Sequence, residues 1–158
     1  MKSFYRKEFD YRKILWRMLS DPGLTIVEAD IIDHISAKGF DKKLFTGMLA
    51  RKGYSYDAAF KEEFVRTFLV FVKHILVDRI ISEDELTTAG LLKLLFKIDA
   101  SDLLPKHTHY IEQIFDAQLN HVKEENPGIS FPEACHKAGL QELFSLGYDE
   151  YIVLCKGH

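Results

Sequence analysis

Two acidic turns carry the residue types best suited to holding an ion. In SDPGLTIVEADIIDHISAKGFD the order is Asp21, Thr25, Glu28, and in VDRIISEDELTTAGLLKLLFKID it is Asp78, Ser82, Glu85 with the same spacing. Carboxylates are the hard oxygen ligands that Ca²⁺ or Mg²⁺ accepts. Asp21, Glu28, Asp78 and Glu85 are therefore the candidate metal ligands, and calcium or magnesium the candidate cofactor. The spacing is not that of an EF-hand, because the alternating Asp/Asn ligands and the terminal bidentate Glu of its loop are missing. The same residues also have a structural use. A Ser or Thr three places before Glu makes a capping box, in which the hydroxyl accepts from the N3 amide and the carboxylate returns to the cap amide. Negative charge at a helix N-terminus adds about 0.3 to 1 kcal/mol, and each aspartate can tie down the amides of its own turn.

Other reactive chemistry is sparse. Glu133-Ala134-Cys135-His136 is an ExxH step of the kind found in di-iron bundles, but such a site needs a second ExxH and two further glutamates on facing helices. No second ExxH exists in the chain. His107 and His109, two apart, point to different faces of a helix. GxSxG, HExxH, the P-loop and GxGxxG are all missing, so no nucleophile, zinc or phosphate motif points to an enzyme. Cys135 and Cys155 stand far apart without CxxC spacing, and the N-terminus MKSFYRKEFD has no apolar h-region. Free thiols in a reducing cytoplasm are the expectation.

The first segment is the one strongly biased stretch. Arg6, Lys7, Arg12 and Lys13 alternate with Phe4, Tyr5, Phe9, Tyr11 and Trp16, a pattern that meets anionic surfaces or simply forms a solvated amphipathic helix. These four basic residues are the candidate interaction surface. The chain as a whole carries a net charge of -3, which gives no global steering toward nucleic acid. An unidentified protein is the expected partner, with no nucleic acid. The most apolar run, Phe64 to Val77, is interrupted by Arg66, Lys73 and His74 and falls short of the roughly 20 residues a spanning helix needs.

Elements that would position these residues read as helices throughout. With 47% apolar and 28% charged residues, the composition is that of a globular protein, and one domain over 1–158 is the default. The periodicity predicts a first helix over 3–19, stopped by Asp21-Pro22-Gly23. A second follows Thr25 and ends near Gly39, and a third is capped by Asp41 and ends near Gly53. A long fourth helix begins at Ser55-Tyr56-Asp57, with Phe60, Phe64, Phe68, Phe71 and Ile75 along one stripe. The fifth follows Ser82, with Leu91, Leu94, Leu95 and Ile98 on one face and Ala89, Leu92 and Phe96 on the next. Apolar over most of their circumference, these two are expected to be the buried centre. Pro105 is expected to break a brief turn over 99–104 from a sixth helix that runs to about Glu125. Ser130 and Glu133 make a third capping box, Gly139 is expected to divide the helix that follows, and YIVLC near the end is ambiguous between helix and strand.

Taken together, these residues resemble the TerB-like family, the all-helical fold named for tellurite-resistance proteins and built from an internal duplication. The likeness is carried by Asp21 to Thr25 with Glu28 and Phe40-Asp41 in the first copy, and by Asp78 to Ser82 with Glu85 and Ile98-Asp99 in the second. It covers residues 20 to 45 and 60 to 104, and the tail LQELFSLGYDEY is similar to an uncharacterised bacterial branch of the family. The second copy departs from the pattern, with Arg79 where the family has Gly. The resemblance implies an all-α multihelical bundle of two repeats, about 3–53 and 55–125, around central buried helices, followed by C-terminal helices over 130–155. It also implies a link to stress response. The J-domain that some relatives carry is excluded by the absence of His-Pro-Asp. A non-enzymatic cytosolic interaction or scaffold domain is the leading expectation, and a Ca²⁺- or Mg²⁺-binding protein the alternative.

Overall fold

A computed structural model describes residues 9–55 and 57–156, and every described element is helical. In chain order these are α1 (Tyr11–Met18), α2 (Ile26–Lys38), α3 (Lys42–Arg51), α4 (Ala58–Ile75), α5 (Glu83–Phe96), α6 (Ala100–Glu125), α7 (Phe131–Ala138), α8 (Leu140–Leu143) and α9 (Tyr148–Lys156). Among them none is long and apolar enough to cross a membrane. The all-α expectation holds, and YIVLC is helical within α9.

Local chemistry explains where the helices begin. Thr25, Asp41, Asp57 and Ser130 each accept a bond from the third residue beyond the cap, which satisfies one of the orphan amides of a first turn. The reciprocal box closes at Ser82 with Glu85 and at Asp99 with Asp102. At α2 the reciprocal bond falls outside the geometry of a full box, and the buried Glu28 carboxylate is shared between the Thr25 amide, which lowers its pKa, and Arg66.

Two expected boundaries change. The described part of the first segment becomes helical only at Tyr11, since Asp10 takes an extended conformation and its carboxylate caps the Arg12 amide. Residues 3–8, with Arg6 and Lys7, lie outside the described residues, as does Tyr56. Pro105 does not break the chain but lies inside a continuous α6. The bond it cannot donate would have gone to Ser101 in the first turn. There the Asp99–Asp102 box and the fully buried Leu103 hold the backbone helical.

Packing divides the helices into two groups. α4 lies against α1, α2 and α5, and α6 lies against α7 and α9, while α8 touches α5 and α9. The first group closes on aromatic rings: Phe64 stacks on Phe96 at 5.2 Å and meets Phe45 at 5.9 Å. Each such fully buried side chain contributes about 1.5 to 3 kcal/mol. The second group closes on Phe115, stacked with Phe144 and edge-on to Tyr151. α4 is the central helix, as its all-round apolar surface implied. α5 is central on one side only: Ala89, Leu92, Leu95 and Phe96 are buried, but Leu91 is 39% and Leu94 78% exposed. The expectation that both leucines pack inward is thereby corrected.

Candidate functional site

The exposed side of α5 forms one wall of a groove of about 1370 Å³, and α7, α8 and α9 complete it. Leu86, Gly90, Leu94 and Lys97 run along the α5 wall at the three- and four-residue steps that keep side chains on one helix face. Phe131, Tyr148 and Ile152 face them from the C-terminal helices. Leu94 and Tyr148 are largely exposed, and a side chain placed at Gly90 would meet no atom within 4 Å. The groove is open along its length.

Its floor holds a buried charge. Lys93 is only 8% exposed, and its Nζ donates to the Glu142 carbonyl at 2.8 Å and to the Ser145 hydroxyl at 2.6 Å. Burial lowers its pKa to about 8, and the Glu142 carboxylate opposes that shift only in part. Ser145 sits in the left-handed region at φ 55, a conformation that costs a non-glycine residue roughly 1 to 2 kcal/mol. The bond from Lys93 is one compensation for it. Rim charge has the same sign as the floor: Lys42, Lys97 and Lys156 line the groove against the carboxylates of Asp99 and Glu142. Asp99 is already engaged with Ser101 in capping α6.

Beneath the groove lies a sulfur pair. Cys135 and Cys155 are free and buried, and Tyr151 donates its hydroxyl proton to the Cys135 carbonyl. Burial, and then the neighbouring Cys135, push the Cys155 thiol up to about 12. Such a thiol is protonated and inert at neutral pH.

The four candidate metal ligands are each engaged with protein groups or turn amides. Asp21 Oδ1 accepts from the Gly23 amide at 2.9 Å, and its Oδ2 meets Lys73 at 3.0 Å and His74 at 3.4 Å. The Gly23 bond first and Lys73 second hold its pKa below the ordinary carboxylate value. Asp78 Oδ1 accepts from the Ile80 amide at 3.0 Å, the same turn contact two residues on. The backbones of the two turns nevertheless differ, because Arg79 has a φ of 61 where Pro22 is locked near −65°. A left-handed conformation is what glycine supplies without strain, and here a non-glycine residue, Arg79, adopts it.

Glu28 is 1% exposed, and Arg66 Nε lies 3.3 Å from its Oε1, within ion-pair distance but outside hydrogen-bond geometry. Burial raises its pKa, and Arg66 only partly offsets that. Glu85 is raised by burial, with its Ser82 bonds opposing and the nearby Asp78 charge adding to the shift. Asp78 and Glu85 are thus neighbours, but among the described residues no group of three or more His, Cys, Asp or Glu side chains is placed to hold a metal ion.

On α1, Arg12 is spent on Asp10 at 3.0 Å, and Lys13 and the half-exposed Trp16 face outward. The ExxH step falls on α7 with Cys135 inside and His136 outside.

The groove was not singled out from the sequence. One signal was available: LLKLLF places a lysine inside the most leucine-rich turn of the chain, and Gly90 interrupts the same helix. Whether those residues face solvent depends on helices some 50 positions later. Comparison with family models, with characterised proteins and with solved structures finds no match for this chain.

Proposed function

We propose that the chain is a non-catalytic, cytoplasmic interaction domain whose working face is the groove between α5 and α7 to α9. The observation that carries this reading is Leu94, 78% exposed beside Gly90 in a groove floored by a buried lysine. A helix that leaves a leucine and an unfilled notch to water forgoes burial worth about 1.5 to 3 kcal/mol for the leucine alone, which a docked partner would recover. The missing nucleophile, zinc and phosphate motifs and the two free thiols support a binding role in a reducing compartment. The TerB-like likeness of the acidic turns supports the same class and supplies the stress-response link as a pathway to examine. The divalent-cation alternative draws no support from turns whose carboxylates already face Lys73, Arg66 and their own amides.

Co-purification from native lysate tests the reading. A stoichiometric partner retained by the wild type and by Lys13→Gln but lost with Leu94→Glu is the expected result. A partner held equally by Leu94→Glu would place the working face elsewhere.

A further inference from the structure

We propose that the groove receives an acidic amphipathic α-helix of a partner protein, one carboxylate of which reaches Lys93 at the floor. This rests on the interaction reading above and names its partner class.

Shape comes first. Ligand pockets for small molecules run to about 300 to 1,000 Å³, whereas this groove holds about 1370 Å³. Leu86 to Lys97 extend roughly 16 Å along α5, about three turns of a second helix. Gly90 stands in the middle of that stripe with open space above it. A mid-helix glycine costs roughly 0.5 to 1 kcal/mol relative to alanine, and here it leaves a notch into which a large anchor side chain fits.

Backbone chemistry then selects a helix. A strand-like segment must pair its amides and carbonyls with a sheet edge, and the described residues contain no strand. The groove walls are helices whose backbone groups are already bonded within themselves. A helix brings its own backbone satisfied and offers apolar side chains at three- and four-residue steps, matching Leu86, Leu94 and Ile152.

Charge selects its sign. Four lysines, Lys42, Lys93, Lys97 and Lys156, line the groove against two carboxylates, Asp99 and Glu142. The chain as a whole is negative, at -3, so the positive groove is a local feature that favours an acidic partner and repels a basic one. An ammonium has three donors, and Lys93 spends two on Glu142 and Ser145. One is left for a carboxylate that enters the groove.

The test uses the full chain and three tetramethylrhodamine-labelled helical peptides sharing one leucine stripe, with Glu, Gln or Lys on the flanks. Fluorescence anisotropy is read for wild type, Gly90→Leu, Lys93→Met and the exposed double variant Lys42→Glu/Lys156→Glu, each checked for folding by its far-UV spectrum. The Glu peptide is expected to bind at least tenfold tighter than the Gln peptide and the Lys peptide not at all. Gly90→Leu should weaken all binding about tenfold or more, and Lys93→Met and the double variant should remove the preference for Glu over Gln. Equal binding of the Glu and Gln peptides, or a Glu preference untouched by the double variant, overturns the proposal, as does a concentration-dependent dimer of the protein that Gly90→Leu abolishes. If no peptide binds while Gly90→Leu still loses the co-purified native partner, the acidic-helix proposal fails and the groove reading stands. If Gly90→Leu keeps that partner, both fail.

Discussion

Lys93 on α5 donates to the carbonyl of Glu142 at the end of α8, 2.8 Å away and 49 positions later in the chain. That bond ties the two groups of helices together at the point where the groove opens. It explains how a lysine is held in an otherwise apolar turn: the ammonium is fixed by a carbonyl and a hydroxyl instead of by a full ion pair. Such an arrangement is specific in geometry and costly in solvation.

The cost has a pH signature. Burial depresses the Lys93 pKa from 10.5 to about 8, so the folded chain disfavours the ammonium that the unfolded chain carries freely. The penalty is fully present below pH 8 and disappears as pH rises from 8 toward 10.5, at up to about 1.4 kcal/mol per pH unit. Lys93→Met keeps the volume and removes the charge, and the Glu142 carbonyl retains its bond from the Ser145 amide. Thermal unfolding should find Lys93→Met as stable as wild type or more so at pH 7, with the gap narrowing between pH 8 and 10. A gap constant across that range contradicts the buried-ammonium account.

Asp21 separates a structural turn from a cation site. Its side chain is 8% exposed and meets Lys73, His74 and the Gly23 amide, so Asp21→Ala should cost roughly 1 to 3 kcal/mol. Because its folded pKa is depressed, the stability it contributes is present above the ordinary value of 3.8 and is lost as pH falls through the folded pKa. The loss in Asp21→Ala should be equal in EDTA and in millimolar Ca²⁺. A bound cation would instead add about 2.7 kcal/mol at one hundred times its Kd. A wild-type melting shift in Ca²⁺ that Asp21→Ala and Asp78→Ala both abolish would restore the metal reading.

The sulfur pair gives a chemical readout of packing. With Cys135 and Cys155 buried and free, and the Cys155 pKa held at about 12, the native protein should react slowly with a thiol reagent at pH 7. Unfolded without reductant, it should release two titratable thiols. Fast labelling of the native chain would mean that α7 and α9 are looser than this packing requires, and an absence of thiols in the unfolded chain would mean a disulfide.

What the sequence revealed and what it hid follow from the range of the forces involved. Caps act within four residues, so Thr25, Asp41, Ser82 and Ser130 declared their helices directly. α4 declared its centrality because nearly every apolar face it offers is used. Pro105 misled, since its local penalty was outweighed by a cap box six residues earlier and by the burial of Leu103. Leu94 misled in the opposite sense. Its periodicity places it on one face with Leu95, yet Leu95 is buried while Leu94 lines the groove and is left open, a difference set by tertiary packing that no local pattern carries. The duplication expected from the sequence is not confirmed: the Asp21 and Asp78 turns share a carboxylate contact to the amide two residues on, but their backbones differ at Pro22 and Arg79, and Glu28 meets Arg66 where Glu85 closes a full box with Ser82.

Partners that meet this chain at the α5 groove should be captured from inside it by site-specific photo-crosslinking, with a benzoylphenylalanine placed in turn at Leu94 in the groove, at the exposed Val77 after α4, and at Lys13 on the basic face of α1. A single dominant adduct from position 94, absent from positions 77 and 13, is the predicted result. An adduct from Lys13 or Val77 with none from Leu94 would contradict it and move the working surface away from the groove.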